Sequence, residues 1–217
     1  MTWLDIALPL AAYFLGSIAT AVVVSRMLGL PDPRTIGSGN PGATNVLRTG
    51  NKMAALATLI GDLLKGLIPV VVARALDASE LIIALTALAA LIGHIFPIFF
   101  QFKGGKGVAT ALGVLLGLSP WLGLATLAVW LGMAFGLRYS SLAALTAALC
   151  APLIAWLLHF DTTSLIAISI MSALLIWRHL GNIQRLIQGQ ETRIGEKKKP
   201  VPQDEPAQTN TQTKGDN

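Results

Sequence analysis

Between Phe102 and Thr110 the chain reads FKGGKGVAT, with Lys103 and Lys106 set among Gly104, Gly105 and Gly107 directly before a long apolar run. Glycines let successive backbone N–H groups converge on one point, a helix start adds its positive end, and two ammonium groups add full charge. Such a loop suits an anion, above all a phosphate. It is not a Walker A loop, because Gly107 follows Lys106 where Ser or Thr is needed and the glycine spacing differs, so there is no nucleotide-plus-magnesium signature. Anchoring of apolar segments at a membrane interface would account for the lysines but not for the glycines.

A second polar stretch, GSGNPGATNVLR, runs from Gly37 to Arg48. Gly37, Gly39, Gly42 and Pro41 specify a tightly turned backbone. Ser38, Asn40, Thr44 and Asn45 supply neutral hydrogen-bonding groups, and Arg48 supplies a planar, permanently charged fork. In the third stretch, Trp177 to Glu191, Arg178, His179 and Asn182 open a helix whose apolar stripe is Leu180, Ile183, Leu186 and Ile187, and Glu191 closes it. Asp62 and Lys65 are placed i and i+3 inside an apolar run, on one helix face and able to pair, and His94 lies in another. Ionised groups at such depth are costly, and serve either function or an ion pair that supports the bundle. Three scattered histidines and the lone Cys150 offer no metal site, and the single cysteine excludes a disulfide framework.

The elements that carry these groups are membrane spans. Of 217 residues 53% are hydrophobic and only 12% charged, where a soluble domain has about 25% charged. The apolar runs are Leu4 to Val24, Met53 to Ala75, Leu81 to Phe100 with a kink at Pro97, Val108 to Leu137 divided at Ser119-Pro120, Leu142 to Phe160, and Thr163 to Trp177. The first is a retained span rather than a secretory signal, since Met1 to Asp5 is acidic, not basic. Two GxxxG patterns, Gly113 to Gly117 and Gly132 to Gly136, predict close helix packing. If Val108 to Leu137 crosses twice, all of the sixteen Lys and Arg except Lys65 in the membrane and Arg74 outside face the cytoplasm. The expectation is an all-α integral membrane protein, a bundle of about seven transmembrane helices with a short fourth pass, N-terminus out, C-terminus cytoplasmic and no soluble domain. One polytopic domain fills 1–195, and 196–217 is a polar tail that cannot bury a core. The basic residues lie in short loops rather than on a soluble face, which excludes nucleic acid as a partner.

These stretches in this order resemble the bacterial membrane acyltransferases that acylate glycerol 3-phosphate from acyl phosphate, the PlsY family. The resemblance covers nearly the whole chain: GSGNPGATNVLR, DLLKG from Asp62 to Gly66, GHIFPIFFQFKGGKGVAT from Gly93, and WRHLGN with the later Glu191. The last motif departs from the family's common RHRENIKRLLKG, with Leu180-Gly181 for the Arg-Glu pair and Gln184 for Lys; His179, Asn182 and Glu191 keep their places. The resemblance implies transfer of a fatty acyl group to the 1-hydroxyl of glycerol 3-phosphate, giving lysophosphatidate and phosphate, an early step of phospholipid synthesis, without a cofactor. The partners implied are glycerol 3-phosphate, acyl phosphate and membrane lipids, with coupling to an acyl-phosphate-forming enzyme, at a site on the cytoplasmic face of the bacterial inner membrane.

Acyl phosphate is already activated, so alignment and charge stabilisation are the main tasks. Lys103 or Lys106 with the backbone of Gly104 to Gly107 would take one phosphate, and Arg48 with Ser38 and Asn45 the other; either loop suits either substrate. His179 would be a base or a phosphate donor oriented by Asn182 and Glu191, unless a substrate phosphate takes the proton. A covalent acyl-Ser38 needs an adjacent base, and none is close in sequence, so a hydrogen-bonding Ser38 is expected. Soluble-headed acyltransferases use His-x4-Asp, whereas the partners at that spacing here are Phe99, Ser164 and Gln184. An organic-phosphate transporter would want anion groups at depth and access from both faces, and only Asp62 and Lys65 lie deep.

Overall fold

The computed structural model describes residues 2–196, and every regular element among them is a helix. The expected polar tail lies outside the described residues but for Glu196. The first apolar run is not one helix but two, α1 (Trp3–Gly16) and α2 (Thr20–Met27), bent by 45°. Two contacts explain the break. The Lys65 ammonium takes the Ile18 carbonyl at 2.7 Å, a group that a continuous helix would bond itself. A Cβ on Gly16 would strike the Ala90 carbonyl and one on Gly93 the Tyr13 carbonyl, so α1 lies backbone to backbone on α5 (Glu80–Ile95).

Loop one contains the single-turn α3 (Ala43–Val46). Asn51 then caps α4 (Lys52–Ala75), its side chain accepting the Ala54 N–H at 3.0 Å. At the end of α5 Pro97 does not kink a helix; the helix has stopped at Ile95 and a one-turn 3₁₀ segment, Ile98–Phe100, follows. α6 (Val108–Leu118) has 11 residues. At 1.5 Å per residue it is about 16 Å long, roughly half the hydrocarbon thickness of a bilayer, so it is shorter than the helices able to cross a membrane alone. Extended Ser119 and Pro120 at the first helical position separate it from α7 (Pro120–Leu137). α8 (Ser140–Leu157), α9 (Thr162–Arg178) and α10 (Leu180–Ile187) complete the bundle, α10 turning 56° away from α9. Four stretches, α4, Glu80–Phe100, α7 and α8, are long and apolar enough to cross a membrane, or six if each bent pair is one span.

The tightest packing is α4 on α6, where a Cβ on Gly66 would meet the Thr110 carbonyl and one on Gly113 the Leu63 carbonyl. Leu91, Ile95, Val114, Leu122, Ile168 and Met171 extend the core to α5, α7 and α9. Gly113 and Gly117 thus pack as their spacing predicts, but Gly132 and Gly136 do not: a Cβ at either would meet nothing within 4 Å. Their face of α7 points out of the bundle, alongside Phe135, which is 81% exposed.

Asp62, Lys65 and His94 are only 3%, 4% and 6% exposed, so their charges must be matched internally. The Lys65 ammonium is 2.8 Å from Asp62 Oδ1, His94 Nδ1 is 3.6 Å from the same oxygen, and Thr110 Oγ1 is 3.0 Å from His94 Nδ1. This polar pillar ties the α1–α2 break to α4, α5 and α6. Its top is His94 Nε2, which lies where a Cβ on Gly105 would be.

Candidate active site

The end of the bundle above this pillar gathers loop one, the glycine loop before α6 and the α9–α10 bend. Loop one is folded around Asn45, 2% exposed. Its Nδ2 donates to the Pro33 and Ile36 carbonyls at 2.7 and 3.1 Å, and its Oδ1 accepts the Ser38 N–H at 3.0 Å. The amide expected to meet substrate is therefore engaged by the loop, and Asn45 fixes where Ser38 stands. Gly37 has a φ of +58°, and a Cβ there would strike Asn45 Oδ1 and come within 3.2 Å of Arg48 Cδ, so only glycine lets Arg48 fold over the turn. Ser38, Gly39, Thr44 and Arg48 are exposed, Asn40 is half-buried and accepts the Gly42 N–H at its carbonyl.

In the second loop the Gly105 N–H donates to the His94 carbonyl at 3.2 Å and the Lys103 N–H to the Phe100 carbonyl at 3.1 Å. No protein acceptor among the described residues takes the N–H of Gly104, Lys106 or Gly107. These unpaired donors beside one ammonium group are the raw material of an anion cradle. A Cβ at Gly105 would also lie 3.2 Å from the Pro41 carbonyl, so the two glycine loops touch.

The third stretch reaches over both. Arg178 donates to the Gly104 carbonyl at 3.1 Å and the Gly105 carbonyl at 3.3 Å, so it braces the loop. Lys106 donates to Asn182 Oδ1, Asn182 Nδ2 donates to Glu191 Oε1 at 2.6 Å, and Glu191 also accepts from Ser141 Oγ at 2.7 Å and Arg185 Nε at 2.6 Å. Asn182 and Glu191 thus hold Lys106, not His179 as expected from sequence. The imidazole is oriented by its own helix: Nδ1 lies 2.7 Å from the Leu175 carbonyl, which can only accept, so Nδ1 carries the proton and Nε2 keeps its lone pair. Of the two lysines, Lys106 joins this network and Lys103 is exposed. The apolar stripe of α10 is exposed or half-buried, and polar Asn182 is the residue that turns inward, because Lys106 and Glu191 are its partners.

Sequence reading missed Ser141 and Arg185. Ser141 follows the polar break at Arg138 to Ser140 and belongs to no motif; only its contact with Glu191 reveals it. Arg185 lies three residues beyond Asn182 on the polar side of α10, a spacing that marks a shared face.

Burial, reinforced by the positive charges of Arg185, Arg178 and Arg48 and offset in part by Glu191, lowers the Lys106 amine to about 8. Burial likewise pushes His179, just beyond the end of α9, down to about 4, with Lys106 and Arg178 acting in the same sense. It is neutral at pH 7. Burial alone would raise the Glu191 carboxyl, but hydrogen bonds from Ser141, Asn182 and Arg185 outweigh it and hold the group below its ordinary range.

The family model for glycerol-3-phosphate acyltransferase matches residues 6–189. Glycerol-3-phosphate acyltransferases of Thioalkalivibrio sulfidiphilus and Thiobacillus denitrificans are 58% and 56% identical, each over 89% of this chain and over 95% and 99% of their own lengths. The chain belongs to this family. Among solved structures the acyltransferase is similar to PlsY (YgiH), described as an integral membrane glycerol 3-phosphate acyltransferase. It is 42% identical to the glycerol 3-phosphate form, with a TM-score of 0.85 over 88% of this chain and 96% of that one. For the lysophosphatidic acid form the identity is 41% and the TM-score 0.83, over 88% and 95%.

Titration of the Lys106 ammonium should make the acyltransferase sensitive to alkaline pH. The charged form prevails below about pH 8 and is lost above it. Since kcat/KM reports groups of the free enzyme, it should fall by about tenfold per pH unit on the alkaline side. Lys106→Arg keeps its charge throughout and should flatten that limb, although at lower activity because the fork does not reproduce a point charge. Steady-state profiles from pH 7 to 10 for both proteins check this; a wild-type profile flat to pH 10 would contradict a needed Lys106 charge that is lost near pH 8.

Proposed function

We propose that this acyltransferase moves a fatty acyl group from acyl phosphate to the 1-hydroxyl of glycerol 3-phosphate, releasing lysophosphatidate and inorganic phosphate. The observation that carries this is the meeting of two glycine loops, each with its own cation, at one end of a membrane bundle. Two phosphorylated substrates need two anion sites side by side. The N–H groups of Gly104, Lys106 and Gly107, unpaired among the described residues, serve one phosphate with the Lys106 ammonium, and Arg48 with Ser38, held by Asn45, serves the other. The apolar exterior of the helices gives the acyl chain a path from the bilayer.

His179 gives its Nδ1 proton to the Leu175 carbonyl and keeps a free Nε2 lone pair, so toward substrate it accepts a hydrogen bond or proton rather than donating to a phosphate. Ser38 acts by hydrogen bonding: no base hydrogen-bonds its hydroxyl among the described residues, so the pairing that marks an activated nucleophile is lacking. Asp62, Lys65 and His94 support the loop from below. Residues 1–195 form the catalytic membrane domain. The chain crosses the bacterial inner membrane seven times, N-terminus out, with the loops and the basic C-terminus in the cytoplasm, where an enzyme forming acyl phosphate would supply the donor. The charge bias of the loops supports this orientation.

The test is a donor comparison. Purified protein in detergent, given labelled glycerol 3-phosphate without magnesium, should form lysophosphatidate from palmitoyl phosphate and not from palmitoyl-CoA. Product from the thioester alone would overturn the donor assignment.

A further inference from the structure

The residues after α10 do not trail away from the site. Glu191 to Gly195 run along the α7–α8 turn and are fastened to it at Glu191, Arg193 and Ile194. Arg138 accepts the Ile194 N–H at its carbonyl at 2.6 Å and donates from Nη2 to the Ile194 carbonyl at 2.8 Å. Arg193 Nε donates to the Tyr139 hydroxyl at 3.0 Å with its guanidinium 5.4 Å from the ring centroid, and Ser141 Oγ donates to Glu191 at 2.7 Å. Arg138 has a φ of +63°, a left-handed conformation that costs a non-glycine residue energy and persists where surrounding contacts over-determine it. Here it turns the Arg138 carbonyl toward Ile194.

We propose that this strap is a positioning clamp for the Lys106 ammonium, and that Arg138, Tyr139 and Ser141 are positioning residues which act through Glu191 and Asn182. The chain of contacts is continuous. Ser141 and the strap fix the Glu191 carboxylate, the carboxylate fixes which way the Asn182 amide faces, and the amide oxygen then points to Lys106. An amide not anchored at its nitrogen could turn its NH2 toward the ammonium and repel it. The hairpin of α7 and α8 thereby sets the geometry of the cation. The functional consequence rests on the reading of Lys106 as a phosphate-binding group.

The experiment measures the amine directly and needs no turnover. The full-length wild-type protein and its Ser141→Ala, Ser141→Thr and Tyr139→Phe variants are reductively methylated in detergent, and each lysine is followed by peptide mass spectrometry. Ser141→Ala should raise the labelling rate of Lys106 by about fivefold, the factor that one hydrogen bond of ordinary strength carries. Ser141→Thr should restore the slow rate, and Tyr139→Phe should shift it in the same direction by less. Exposed Lys103 should be unchanged and buried Lys65 protected, which reports an intact fold. An unchanged Lys106 rate with Lys65 protected overturns the clamp. If Ser141→Ala exposes Lys65, the Tyr139→Phe rate decides by the same criterion. A Ser141→Ala protein that shows the labelling change yet forms lysophosphatidate at the wild-type rate would keep the clamp and refute the phosphate role of Lys106.

Discussion

Lys106→Ala should lower kcat/KM by about 10²–10³-fold, the usual effect of removing one preorganised donor from a charge-stabilising site. The reason is local. Lys106 is half-buried, its ammonium is held by Asn182, and it stands beside three backbone N–H groups that no protein group among the described residues satisfies. Water filling the space of the missing ammonium would bring neither its charge nor its fixed direction. Steady-state rates with each substrate varied in turn show where the loss falls, and it should weigh on the KM of the substrate whose phosphate this loop takes. The thermal unfolding midpoint should change little, since the Asn182–Glu191 pair keeps its other partners. A variant with full activity would remove the second loop from the site.

Gly105→Ala should cost at least as much, about 10²-fold or more, through geometry alone. The added methyl would overlap His94 Nε2 and come 3.2 Å from the Pro41 carbonyl. Neither neighbour can retreat cheaply: His94 is wedged between Thr110 and Asp62, and Pro41 is backbone of the facing loop. The glycine loop must lift instead, which strains the Gly105 N–H bond to the His94 carbonyl and the Arg178 bonds to Gly104 and Gly105. Turnover measured beside Gly132→Ala, whose added methyl meets nothing, separates this effect from the general cost of a mutation in a membrane bundle. Equal rates in the two variants would contradict the close fit of Gly105 against His94.

The contrast between these glycines shows what the sequence makes legible. Apolar runs, polar breaks and the glycine-rich loops are local features, and composition and spacing reveal them. GxxxG at Gly113 and at Gly132 reads identically, yet only the first faces another helix, because what a face meets is set by the whole bundle. The break between α1 and α2 was hidden for a similar reason: the Lys65 ammonium that takes the Ile18 carbonyl comes from 47 positions away. Within the site, His179, Asn182 and Glu191 are recognisable as a group, but their pairing is not. Neighbours in sequence suggest that Asn182 serves His179, while its amide oxygen meets Lys106, 76 positions distant. Ser141 carries no pattern at all. Asn45 shows the opposite error, a polar side chain in a polar loop that reads as a ligand and instead folds the loop.

The central claim is that the two touching glycine loops form one centre for direct acyl transfer to glycerol 3-phosphate. The most direct measurement is the stoichiometry of lysophosphatidate and inorganic phosphate formed by purified wild-type protein from palmitoyl phosphate, with Arg48→Ala and Lys106→Ala run beside it. The account predicts equal amounts of the two products, no phosphate release without glycerol 3-phosphate, and near-abolition of both products in either variant. Phosphate released without acceptor, leaving a covalently acylated protein, would contradict direct transfer. Full product from either variant would contradict the shared centre.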